Sequence, residues 1–242
     1  MLAEGNITDL EVTSHHLIEK FNDNPSGLLA LGDFAASNGR VSMARAIMDH
    51  FTQQQWENTT AVRLIYIESL LVAQHYADAQ SEVKSLLDQP NLSAVYVSIA
   101  NGFLAIAQYG IGDATSAYAS LSTMMAQPNL RADSLLAMAN RLLAMGQQKP
   151  ARELLNHAVN IDPRNQPALT RLVEMDVHSK NVSALGANLP KLFSMRRPSP
   201  SVLAQAQILL RSDSYLFLSN RRNLLEPLGA TLNKTNKATA SD

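Results

Sequence analysis

The feature that most constrains this chain is a turn that recurs. A glycine or polar residue is followed five residues later by alanine at Gly39 and Ala44, Gln74 and Ala79, Gly112 and Ala117, and Gly146 and Ala151. The alanines stand 35, 38 and 34 residues apart. A second echo has a similar offset. Gln89-Pro90-Asn91-Leu92-Ser93-Ala94 returns 38 residues later as Gln127-Pro128-Asn129-Leu130-Arg131-Ala132. A period of this size, with room for two helices per unit, predicts helix pairs that bury their apolar faces only by stacking on neighbours. Composition agrees with helix. The 32 Ala and 35 Leu exceed a quarter of the 242 residues, against ten Gly and ten Pro, and Ala and Leu are the strongest helix formers.

The unit from 132 to 165 is the clearest. Leu135, Met138, Ala139 and Leu142 make an apolar stripe of helical period. Gly146 supplies a residue free to take positive φ at a helix end. Pro150 suits the first turn of the next helix, where its missing N–H is harmless. Ala151, Leu155 and Ala158 carry the second stripe, and Asp162-Pro163 stops it, because a residue before proline is pushed out of helical geometry.

With those residues in place the chain resembles the tetratricopeptide repeat family. Leu135, Met138-Ala139, Leu142, Gly146, Ala151, Leu155, Ala158 and Pro163 match every slot of its 34-residue signature. The unit from Pro25 matches at Leu31-Gly32, Ala35, Gly39, Ala44 and Met48, then departs at Phe51 and Trp56. The units near Thr60 and Ser98 keep Ala79 with Val83 and Ala117 with Leu121. The unit from Gln166 is degenerate, with Asp176 at the Tyr slot and Leu185 at the central Ala slot. The resemblance implies an all-α, right-handed α-solenoid of antiparallel helix pairs, about 13 helices in one continuous domain. It also sets the expected divisions: a repeat array over 1–197 with an incomplete first unit, a closing helix pair over 198–228, and a disordered tail over 229–242. Within the closing pair, Ser201–Arg211 and Ser214–Leu225 read as helices around a Ser-Asp-Ser turn. Because residues 5–10 resemble residues 180–185, which open the second helix of a unit, the chain reads as a piece of a longer solenoid. The loose Ala/Leu-rich repeats also resemble long bacterial repeat proteins of cell-envelope and exopolysaccharide systems.

Chemistry is sparse. Zero Cys excludes disulfides, a cysteine nucleophile and thiolate metal sites. His15 and His16 are adjacent, so on a helix they diverge by about 100° and converge poorly on one ion. No phosphate loop, nucleophile elbow or His-Glu-x-x-His motif occurs. The reading is therefore non-catalytic, with no cofactor and no metal. Twenty basic residues against 21 acidic argue against a polyanion binder. The tight basic clusters, Arg196-Arg197 and Arg221-Arg222, carry the alternative of a helical-repeat nucleic-acid-binding module, without aromatic stacking residues beside them. A third reading is the regulatory arm of a larger enzyme. No stretch approaches 18 uninterrupted apolar residues, and no basic start followed by an apolar run reads as a signal peptide. The compartment and oligomeric state stay open. Five Asn-x-Ser/Thr triplets, at Asn6, Asn58, Asn91, Asn181 and Asn233, are expected by chance in a chain rich in these residues.

The family resemblance implies a function: an interaction scaffold that holds a protein or peptide segment in its concave groove. In the family the first helix of each repeat lines that groove. Its fifth slot here holds Leu29, Leu64, Gly102, Leu136 and Thr170, and its ninth holds Asp33, Glu68, Ile106, Asn140 and Glu174. The family's carboxylate clamp uses Lys, Asn and Arg at such slots. Asn140 alone fits it, and Asp33, Glu68 and Glu174 oppose it. The groove is therefore expected to prefer a partner with basic and apolar residues.

Overall fold

The computed structural model describes residues 16–128, 130–195, 198–212 and 218–239. Among them every regular element is a helix. Residues 16–20 are helical (α1). The rest are α2 (Pro25–Ser37), α3 (Val41–Gln53), α4 (Thr59–Val72), α5 (Tyr76–Leu87), α6 (Ala94–Gly110), α7 (Ala114–Met125), α8 (Ala132–Ala144), α9 (Gln148–Ile161), α10 (Gln166–His178), α11 (Val182–Phe193), α12 (Pro200–Ser212) and α13 (Leu218–Thr239).

The turns show why the helices come in pairs. Gly39, Gln74, Gly112, Gly146 and Lys180 all have positive φ, between 53° and 88°. At each, the positive-φ amide donates to the carbonyl three residues back. The next amide donates five residues back, at 2.8–2.9 Å: Arg40 to Ala35, His75 to Leu70, Asp113 to Gln108, Gln147 to Leu142 and Asn181 to Asp176. This is the Schellman arrangement, which satisfies orphan carbonyls at a helix end and turns the chain sharply. Five residues beyond each positive-φ position, Ala44, Ala79, Ala117, Ala151 and Leu185 are fully buried. The recurring turn read from the sequence is thus one repeated backbone device, and it extends to the degenerate unit.

Starts are capped as local chemistry dictates. Asn24, Ser93, Asp113, Asn165 and Asn181 each accept from the amide three residues on, closing α2, α6, α7, α10 and α11. The Asp113 carboxyl is held below its ordinary value by the hydroxyl and the amide of Ser116. At the other end of α9, Asp162 is extended at φ −127°, the stop expected before Pro163.

The chain gathers into two compact units, Met1–Leu130 and Arg131–Asp242. In the first unit α2, α4 and α6 pack on one another in succession, and each packs on its own second helix. The core there includes Leu28, Ile47, Phe51, Ile67, Leu70 and Leu86. In the second unit α8, α9, α10 and α11 pack in chain order, and α12 and α13 close on α10 and α11 respectively. Its core is built on Leu135, Leu142, Leu154, Leu155, Leu169 and Leu189.

Within the segment 229–242, α13 runs on as helix to Thr239. Leu228 is fully buried, so the first half of α13 is anchored, and extending an existing helix costs far less than nucleating one. Residues 240–242, the Ser-Asp-Ser turn beyond Ser212 and the repeat-like residues 5–10 lie outside the described residues.

Candidate functional site

A cleft lies between α8 and α10, wholly inside the second unit. Its volume is about 570 Å³. Leu136 and Asn140 line it from α8, and Gln166, Pro167, Thr170, Arg171 and Glu174 from α10. Each helix presents one face because residues four apart lie above one another. Leu136 and Asn140 are one such pair, and Thr170 and Glu174 are the other.

The cleft walls are held at their entrance by a single residue. Asn165, 7% exposed, caps α10 by accepting from the Ala168 amide at 3.0 Å, and its Nδ2 donates to Asp133 Oδ1 at 3.1 Å. One carboxamide thus starts α10 and ties that start to the first turn of α8. Deeper in, Arg171 crosses the gap. Its Nε donates to Asn140 Oδ1 at 3.0 Å, and its Nη1 meets Glu174 Oε2 at 2.7 Å. Leu136 and Pro167 are the apolar residues of the lining.

Of the residues expected to line a groove, the structure brings together Leu136, Asn140 and Glu174, with Thr170 between them. The others do not meet in this cleft. Leu29 is half-buried and Asp33 exposed on α2, and Glu68 is half-buried on α4. Leu64 and Ile106, on α4 and α6, are 7% and 2% exposed and lie in the core of their own unit.

The sequence reading overlooked Arg171. The signal was present, since an arginine three residues before a glutamate on a helix is a standard pairing. The contact to Asn140 spans 31 residues and could not be read from local spacing. Glu174 accordingly does not stand as an uncompensated acid.

The alternative basic clusters cannot be placed. Arg196 and Arg197 lie outside the described residues, as do the side chains of Arg221 and Arg222 and the whole of His15. Among the described residues no three His, Asp or Glu side chains are grouped as metal ligands. None of the described helices is long and apolar enough to cross a membrane. No protein-family model matches the chain, and no curated protein matches it.

Proposed function

We propose that the chain is a non-catalytic interaction scaffold of tetratricopeptide type, an α-solenoid that binds an extended protein or peptide segment in the cleft between α8 and α10. The observation that carries this reading is the register of the lining. Leu136 with Asn140, and Thr170 with Glu174, occupy the fifth and ninth slots of two consecutive units, and both pairs face one opening. The recurrence of one Schellman turn at 34–38-residue spacing supports the repeat architecture behind it. A cleft of this volume falls in the range that takes one or two side chains of a bound segment. The partner carries apolar residues to cover Leu136 and Pro167, and a basic residue to face Glu174.

The test is a peptide array probed with the parent chain and with Leu136→Asp. Capture of peptides that combine basic and apolar residues, lost in Leu136→Asp, is the expected result. Enrichment of acidic C-terminal peptides would favour a carboxylate clamp and refute the proposed partner chemistry. Capture that ignores Leu136→Asp would place binding elsewhere.

A further inference from the structure

The cleft already holds a guanidinium, and it is the chain's own. Arg171 reaches from α10 to two acceptors on different helices, Asn140 Oδ1 on α8 and Glu174 Oε2 one turn along α10. A planar fork with fixed N–H directions suits two such acceptors better than a compact ammonium does. The geometry therefore shows which cation the cleft accommodates.

The same bridge is easily released. The Arg171 side chain is 48% exposed, against 27% for Glu174. A pair this open to water gains little from Coulomb attraction and loses side-chain freedom on forming. Of the ion pair, the acceptor Glu174 is the better shielded partner and the cation the more exposed one. Leu136 and Pro167 stand beside it in the same opening, ready to cover the apolar stem of an incoming long side chain.

Building on the proposed peptide-binding reading, we propose that Arg171 is a specificity-determining stand-in. In the free protein it occupies the place, between Asn140 and Glu174, that an arginine of the bound segment takes in the complex. The segment recognised here therefore carries arginine flanked by apolar residues. Lysine fits less well, because it lacks the fork. Arg171 has a second consequence for selection. It keeps the empty cleft close to neutral, so basic chains lacking the correct apolar neighbours gain little from unscreened attraction to Glu174.

The opposite assignment makes a different demand. Were Arg171 a direct contact, donating to a carbonyl or carboxylate of the partner, its removal would weaken binding. Removing a stand-in strengthens it. The experiment uses short labelled peptides alternating Leu with Arg, with Lys or with Gln, titrated into the parent chain, Arg171→Ala, Arg171→Lys and the double variant Arg171→Ala with Glu174→Gln. Arg171→Ala is expected to bind the Leu/Arg peptide up to about fivefold more tightly, the scale of one exposed ion pair. Its affinity should also fall more steeply with added salt, since the cleft then carries an uncompensated carboxylate. Arg171→Lys should show part of the gain, because lysine holds the two acceptors less well, and the double variant should lose the gain. The Leu/Gln peptide should not distinguish Arg171→Ala from the parent.

Arg171 is exposed on a helix and alanine favours helix, so the substitution leaves the fold intact; circular dichroism of each variant checks this. Capture that depends on Leu136 but weakens, or stays unchanged, in Arg171→Ala overturns the role of Arg171 and leaves the cleft reading standing. Absence of binding by every peptide to every variant overturns both. Binding by Arg171→Ala alone supports the stand-in outright.

Discussion

The Asp176 carboxylate has no exposed surface, and the Arg152 guanidinium, a quarter exposed, meets it at 2.5 Å. Asp176 Oδ2 also accepts from Asn188 Nδ2 at 2.8 Å. One acid on α10 thus joins α9 and α11. Such a triad adds little net stability compared with apolar packing, yet it is costly to break.

The two partners should therefore respond unequally. Arg152→Met leaves a buried carboxylate without its cation and should cost about 3–5 kcal/mol. Asp176→Asn keeps the shape and an acceptor for Asn188, and Arg152 can turn to water. Its cost should be nearer 1–2 kcal/mol, the value of a charged hydrogen bond. Urea unfolding of both variants decides; equal losses would show that burial of Asp176 does not control the energetics.

The recurring turn predicts opposite effects at equivalent positions. Gly146 has φ +75° and its added Cβ would meet nothing within 4 Å, so Gly146→Ala should cost about 1–2 kcal/mol from backbone strain alone. Lys180 and Gln74 hold the same conformation at φ 53° and 62° with a Cβ present. Lys180→Gly and Gln74→Gly should thus be neutral or stabilise by up to about 1 kcal/mol, after the greater freedom of glycine in the unfolded chain is counted. Loss of stability in both glycine variants would mean that these side chains contribute contacts outweighing the strain.

Gly110 ends α6 against the ring of Tyr76, and a Cβ there would lie 2.2 Å from Tyr76 Cγ. The ring is attached at that atom and cannot swing aside as a chain end could. Gly110→Ala should destabilise by about 1–3 kcal/mol through overpacking. Tyr76→Ala in the same chain should remove most of that penalty, giving a coupling well outside additivity. Additive losses in thermal melts would show that the contact is not the cause.

Acid should loosen the start of α7. The Asp113 carboxyl sits below its ordinary 3.8 because the Ser116 hydroxyl and amide donate to its charged form. A lowered folded value means the cap is fully present above pH 3.8 and is lost as pH falls through the folded value. Protection of the Ser116 amide, its exchange measured by NMR against that of an unstructured amide at the same pH, should fall only below that point. Asp113→Asn should abolish this pH dependence, and a fall beginning near neutrality would rule Asp113 out as its source.

Much of the secondary structure is local and was legible for that reason. Gly39, Gly112 and Gly146 mark sharp turns because positive φ favours glycine, and the alanines five residues on are fully buried. Asp162-Pro163 stops a helix through the geometry of two adjacent residues. Leu136, Asn140 and Glu174 line one cleft; Leu136 and Asn140 share a helix face because they are four residues apart.

What the linear pattern could not decide is which exposed-looking positions remain exposed and which distant side chains meet. Leu64 and Ile106 share a register with Leu136 and Asn140, but packing within their own unit buries them, and no local spacing encodes how closely neighbouring helices approach. Arg171 and Asn140, like Arg152 and Asp176, are partners only because consecutive helices fold back beside one another. Within 229–242, the helix to Thr239 continues from the part of α13 that the buried Leu228 anchors. Composition reports what a segment can bury. Whether its backbone is already held by a packed neighbour is settled only when the chain has folded.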